Sequence, residues 1–147
     1  MPHTYQYPRP SLTVDIAIVT RESEPRVLLI RRKHDPFAGA WALPGGFVDE
    51  NEPLADAARR ELREETGLDQ GMDLEQLAAF GDPGRDPRGW TVSVAFLARV
   101  NAEDVNPAAA DDAAEVAWHP LHRLPTLAFD HARILERAQA RLLDRGP

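Results

Sequence analysis

Three glutamates, Glu61, Glu64 and Glu65, fall in the stretch GGFVDENEPLADAARRELREETGL from Gly45 to Leu68. Pro53 suits a first helical position, where a missing N–H does no harm. Leu54 to Thr66 holds good helix formers and no internal Gly or Pro, and Gly67 suits a left-handed cap. Advancing ~100° per residue gathers Leu54, Ala55, Ala58 and Leu62 on one arc that must face a core. Asp56, Arg59 and Arg63 fall opposite, toward water. Glu61 and Glu65 lie at the edge of the apolar arc with Glu64 just beyond, and helix residues three and four apart are neighbours. Carboxylates crowded on a ridge beside a core repel one another, so either their pKa values rise or cations sit among them. Hard oxygen ligands suit Mg²⁺ or Mn²⁺. Arg60 can orient Glu64, four residues on. Gly45 and Gly46 allow close backbone approach, and a glycine carbonyl is a candidate further ligand. The bland alternative, a charged helix with a solvated face, leaves both the acids on the wrong arc and the Gly-Gly loop unexplained.

Such a helix needs a scaffold, and the flanking sequence supplies strands. Ser11 to Thr20 alternates, with Leu12, Val14, Ile16 and Ile18 facing one way and Thr13, Asp15, Ala17 and Val19 the other. A polar turn, Arg21 to Arg26, leads to a second strand, Val27 to Arg32, so the two form a hairpin or near neighbours in a mixed sheet. Arg32 leaves that strand just before the glycine loop and is a candidate phosphate ligand. In HDPFAGAWAL, Trp41 reads as core, and Phe37 as core or as a stacking surface for a base. Gly71 to Phe80 reads as a short strand or connector with Leu74 and Leu77 buried. The loop GDPGRDPRG, 81–89, is too rich in Gly and Pro for regular structure; its Arg85 and Arg88 suit a diphosphate or terminal phosphate. Thr91 to Val100 is the clearest central strand, with Val92, Val94, Phe96 and Val100 on one face. A polar loop, Asn101 to Asp112, precedes a short strand from Ala114 to Trp118. His119 and His122 lack the spacing of a zinc site and read as surface or packing residues. A closing helix from Phe129 to Arg145 has Asp130 as expected N-cap and Ile134, Leu135, Ala138 and Leu142 as its buried stripe; His131 packs or caps. Tyr5 to Pro10 reads as an extended lead-in strand or an arm onto a partner subunit.

The bulk numbers bound the partners. The chain has 147 residues, with no repeat and no linker, enough for a single domain over 1–147, with 1–10 as an N-terminal arm. The first residues lack an apolar signal region, no stretch has the length of a membrane span, and Cys is absent. Cytoplasm is therefore the expected location, with no membrane partner, no disulfide framework and no thiolate metal site. A net charge of −7 argues against nucleic acid as partner. The same charge seems to argue against an anionic ligand, but acids over 46–68 outnumber bases seven to three. A local negative site recruits cations, and the cations recruit phosphates.

The spacing of Gly46, Glu52, Arg60, Glu61, Leu62, Glu64, Glu65, Gly67 and Leu68 resembles the Nudix box, with every fixed position filled. The resemblance implies an α/β Nudix fold, an α/β/α sandwich with a mixed β-sheet between helices. It implies hydrolysis of nucleoside diphosphates linked to another moiety, with Mg²⁺ (Mn²⁺ substituting) as cofactor. It places metal ligands at Glu61, Glu64, Glu65 and the Gly46 carbonyl, leaves open which Glu is the base, and gives Glu52 and Arg60 a mainly structural role. The family often has an acid near the strand at 114–118 that acts as base or extra ligand: Glu115 is the candidate, with Asp111 and Asp112 as rivals. Outside the box, RPSLTVDIAIV, WALPGGFVD, GDPGRDPRGW and LPTLAFDH are similar to the ADP-ribose pyrophosphatase branch, in which homodimers are common. The expected reaction is ADP-ribose to AMP and ribose 5-phosphate. Rival substrates are oxidised nucleoside triphosphates and NADH. A non-catalytic nucleotide sensor of this family usually carries a DNA-binding domain, for which 147 residues leave no room, and the intact box favours the enzyme.

Overall fold

The computed structural model describes residues 2–68, 71–110 and 113–145. Asp111 and Asp112, the rivals of Glu115, lie outside the described residues. The elements in order are β1 (Ser11–Thr20), β2 (Arg26–Arg32), β3 (Trp41–Ala42), β4 (Gly45–Phe47), α1 (Leu54–Thr66), β5 (Glu75–Phe80), β6 (Thr91–Val100), a single 3₁₀ turn (Ala102–Asp104), β7 (Ala113–Pro120) and α2 (His131–Arg145).

The strands make one mixed sheet in the order β3-β2-β1-β6-β5, with β4 on β1 and β7 on β2. β1 and β6 run parallel in unbroken register from Ser11↔Thr91 to Thr20↔Val100. Both are buried over most of their length, as expected of parallel strands covered on two faces. The alternation in β1 decides which residues meet which helix. Val14, Ile16 and Ile18 pack with Phe96, Leu28 and the Ala57, Ala58 and Leu62 face of α1. Ala17 and Val19 pack with Val27, Leu29 and Leu97 against Ile134, Leu135 and Ala138 of α2. At roughly 25 cal/mol per Å² of apolar surface removed from water, these two helix–sheet layers hold the fold together.

The site depends on how β1 divides its free edge. β2 pairs with β1 at Val19↔Val27, whereas the other end of β1 pairs with β4, Asp15 opposite Gly45 and Val14 opposite Gly46. The chain between them, with the Pro44 carbonyl accepting the Ile16 N–H at 2.9 Å, fills the gap where the two strands diverge. The Gly-Gly segment is thereby laid along a buried strand, directly ahead of α1.

Several expectations need correction. No strand precedes Ser11, and the described residues before it are exposed, so the lead-in strand is absent. Pro53 is the N-cap of α1 rather than its first helical residue, with φ −60° and ψ 143°. Gly67 does take the left-handed cap, φ 75°, and its N–H bonds the Arg63 carbonyl. The last strand is longer than Ala114 to Trp118 because it pairs with β2 from Arg26↔Pro120 to Arg32↔Ala113. α2 begins at His131, after Phe129 at φ 53°. Trp41 does pack against the core layer of Leu43 and Leu135, partly buried and edge-on to His119. Among the described residues no helix is long and apolar enough to cross a membrane.

Candidate active site

The cleft is built where β4 meets α1. Gly45 and Gly46 line it together with Glu61, Glu65, Arg32 and Arg88. An adjoining hollow shares both glycines and both arginines and is lined further by Asp15, Arg85, Asp86, Phe129 and His131.

Arg60 fastens the loop to the helix. Its Nε and Nη2 donate to the Glu52 carboxylate at 2.8 and 2.9 Å, and Nη2 also donates to the Phe47 carbonyl at 2.9 Å. Nη1 donates to Glu61 at 2.8 Å and to Glu64 at 3.3 Å. Glu52 also accepts the Asp49 N–H at 3.0 Å. These bonds, Arg60's first, hold the Glu52 carboxyl down at about 2, and the same carboxylates raise the Arg60 pKa above its ordinary value. One planar fork, with its donors in fixed directions, thus ties together the loop and the acidic ridge.

Glu65 is the buried member of the ridge, 6% exposed. Its Oε1 accepts the Gly45 N–H at 2.8 Å. Burial pushes its carboxyl up to about 9; the Gly45 bond opposes this, and Glu61 and Asp15 add to it. Glu61 lies against Gly46 so closely that a Cβ on that glycine would stand 2.6 Å from the carboxylate. A side chain at 46 would therefore displace the Glu61 carboxylate, the φ of Gly46 being ordinary. Glu64 is more exposed and is not among the cleft-lining residues. Among the described residues no three acidic or imidazole side chains form a ready-made cation cage. Glu61, Glu65 and the adjoining glycine backbone do offer hard oxygen donors at one place, and Glu65 is held there against the cost of its own ionisation. That donor set fits Mg²⁺ or Mn²⁺.

The arginines differ in kind. Arg85, 4% exposed, gives its Nη2 and Nε to Asp130 at 2.6 and 2.9 Å. Burial opposes its charge, but the Asp130 bonds prevail and raise its pKa. Arg85 thus anchors the 81–89 loop to the start of α2, and its fork is occupied by a carboxylate rather than offered to a ligand. Asp130 correspondingly spends both carboxylate oxygens on Arg85, in place of the expected cap. Arg88 is held by Asp86 through Nε and Nη2 at 3.1 and 2.8 Å. It lies 4.8 Å from the ring centre of Phe47 and 5.5 Å from that of Phe129. Arg32 lies 5.0 Å from the same Phe129 ring and donates to the Pro36 carbonyl at 2.7 Å. Burial, then the charge of Arg88, lowers the Arg32 pKa, so an anion between the two arginines would relieve both effects.

Two other candidates lie off the cleft. Phe37, with φ 63°, packs edge-on against Phe129 at 4.8 Å and lines neither hollow. Glu115 sits opposite Arg31 in the β2–β7 ladder, 3.6 Å from its guanidinium. The ladder shifts register between Arg31 and Arg32, and Glu115 is not among the residues that line the cleft beside Arg32. Sequence reasoning missed Asp15, Asp86, Phe129 and the site role of His131. The one legible signal was Asp15, a charge inside the apolar alternation TVDIAIV.

Comparison with known proteins accords with this geometry. Residues 10–138 match the NUDIX domain family. Over 130 residues the chain is 42% identical to an ADP-ribose pyrophosphatase of Methanocaldococcus jannaschii, covering 88% of this chain and 73% of that one. It is 40% identical over 141 residues to an ADPR responsive transcriptional repressor of Acinetobacter baylyi, covering 92% of this chain but 56% of the repressor, so it spans about half of that relative. The NUDIX domain of Shewanella oneidensis NrtR complexed with ADP ribose superposes with a TM-score of 0.82 at 36% identity, covering 92% of this chain and 90% of that one. With its glutamate ridge, its glycine loop and these matches, the chain belongs to the Nudix family.

Proposed function

We propose that ADP-ribose is the substrate of this Nudix pyrophosphohydrolase, and that water splits its diphosphate into AMP and ribose 5-phosphate. The observation that carries the reading is the meeting, in one cleft, of the buried Glu65, Glu61 and the Gly45–Gly46 backbone with the Arg32–Arg88 pair. In the balance of the reaction, one P–O bond of the bridge breaks, the oxygen of water forms its replacement, and a proton is released. A divalent cation, Mg²⁺ or Mn²⁺, would neutralise phosphate charge and make water a better nucleophile. Glu61, Glu65 and the Gly46 carbonyl would hold it, with Glu64 joining by releasing its 3.3 Å bond to Arg60. Burial pushes the Glu65 carboxyl up to about 9, so a cation held there would favour its ionised form. Arg60 keeps the ridge and loop in register throughout. Arg32 and Arg88 bind the phosphate oxygens, backed by Phe129 and Asp86.

A second reading, ADP-ribose sensing without turnover, is favoured by the likeness to the Acinetobacter repressor. A substrate panel with Mg²⁺ separates the two: ADP-ribose, an oxidised nucleoside triphosphate and NADH, with products read by phosphorus NMR in ¹⁸O water. The enzyme reading expects AMP and ribose 5-phosphate with ¹⁸O in one of them. Binding of ADP-ribose with no bond broken would replace it by the sensor reading, and faster turnover of the oxidised nucleotide would overturn the substrate.

A further inference from the structure

Beneath the Gly-Gly loop lies a buried polar chain that neither the box nor the phosphate-binding arginines include. Asp15, Ser93 and His131 are 6%, 0% and 4% exposed. Ser93 Oγ donates to Asp15 Oδ2 at 2.5 Å. His131 Nε2 stands 3.3 Å from Asp15 Oδ1, and the Leu43 N–H donates to His131 Nδ1 at 3.0 Å. Because Nδ1 accepts, its proton must be on Nε2, the nitrogen that faces Asp15. A Cβ on Gly45 would stand 2.5 Å from Asp15 Oδ1, so the carboxylate abuts that glycine. The Gly45 N–H, in turn, donates to Glu65.

The contacts therefore run from the first residue of α2, through β1, to the backbone on both sides of Pro44, and on to the buried glutamate of α1. Asp15 is a buried acid in the middle of a strand, with Arg85 Nη2 3.9 Å from its Oδ2, and a buried ionic group is a costly way to stabilise a sheet when an apolar residue would pack as well. What the polar chain does that an apolar one would not is fix the Leu43–Gly45 backbone from both ends, by a hydrogen bond to Leu43 and by contact at Gly45. We propose that His131 and Asp15 are positioning residues: they set the Gly45 N–H that orients Glu65, and so act on turnover without touching substrate. This rests on the hydrolase reading for its catalytic consequence, though not for its structural one.

The test compares His131→Leu with His131→Gln in ¹⁵N-labelled protein. Glutamine can both accept from the Leu43 N–H and donate to Asp15; leucine can do neither. In His131→Leu the Gly45 amide resonance is expected to move and its hydrogen exchange to speed up about tenfold, while in His131→Gln it stays near wild type. On whichever panel substrate the wild type turns over, His131→Leu should lower kcat by about 10–100-fold, the scale of a sub-ångström to ångström misplacement, with KM nearly unchanged and kcat restored in His131→Gln. An unmoved Gly45 amide in a cooperatively melting His131→Leu protein overturns the proposal, as does a His131→Gln variant as impaired as the leucine one. If His131→Leu fails to fold, Asp15→Asn is read through the same amide, and an unmoved resonance there overturns it equally. A wild type that turns over nothing sinks the hydrolase reading alone, since the amide readout needs no substrate.

Discussion

Replacing Glu65 with glutamine separates the cost of burying this carboxyl from its use. In the folded protein its pKa is about 9, against an ordinary 4.5. At pH 7 the folded chain therefore favours the protonated group, and ionising it there costs about 3 kcal/mol, from two pH units at 1.36 kcal/mol each. A bound cation must supply at least that much. The folded state binds the proton more tightly than the unfolded one, so the contribution of Glu65 to metal-free stability is fully present below pH 4.5 and falls as pH rises toward 9. Between pH 7 and 9 the loss attributable to Glu65 is about 2 kcal/mol. Glutamine, neutral at every pH, has no such slope. In EDTA, melts of Glu65→Gln and wild type should nearly coincide below pH 4.5, and the variant should be the more stable at pH 7, by about 3 kcal/mol, and by more at pH 9. In Mg²⁺ the order reverses, because only the wild type gains from cation binding. Turnover of ADP-ribose should fall by about 100-fold or more, as when a preorganised transition-state contact is lost. Parallel pH profiles of stability for the two proteins, or near-normal turnover by the variant, would refute this account of Glu65.

Three further contrasts follow from the geometry. Arg85→Ala strands the partly buried Asp130 and Arg88→Ala the buried Asp86, so each should lower the melting temperature, by about 3–5 kcal/mol of stability at most, whereas Arg88→Ala alone should also raise KM for ADP-ribose. Gly45→Ala sets a Cβ 2.2 Å from the Val14 carbonyl, a backbone atom that cannot step aside, so its yield of folded protein should drop; Gly46→Ala meets the movable Glu61 carboxylate at 2.6 Å and should fold while losing cation affinity by calorimetry. Arg60→Ala returns Glu52 toward its ordinary pKa. The stability Glu52 contributes is present above pH 4.5 and is lost as pH falls toward 2, so in acid titrations followed by circular dichroism wild type should lose its advantage over Glu52→Gln, and Arg60→Ala should show little of that acid-dependent loss.

The parts legible in the sequence were those set by local periodicity. The alternation of β1 named the residues of two cores, and the helical arc from Leu54 put Glu65 inward, which is where its burial lies. Gly67 announced its own cap. What stayed hidden depends on partners distant in the chain. Arg85 looked like a phosphate ligand because its loop is polar and rich in glycine; only the fold brings it to Asp130, 45 residues on. His131 and Leu43, 88 residues apart, meet only once α2 is docked. The full length of β7 was equally invisible, since its alanines and glutamate lack a strand's alternation and its extent is dictated by β2. For Glu115 a family expectation supplied the residue type, and the fold places it opposite Arg31 in the β2–β7 ladder.

The most direct test of the whole account is anomalous scattering from crystals soaked in saturating Mn²⁺. A manganese peak in contact with the Glu65 and Glu61 carboxylates and the Gly46 carbonyl is the predicted result, and it should vanish in Glu65→Gln. A crystal with no peak there, or with manganese bound only beside Glu115, would contradict it.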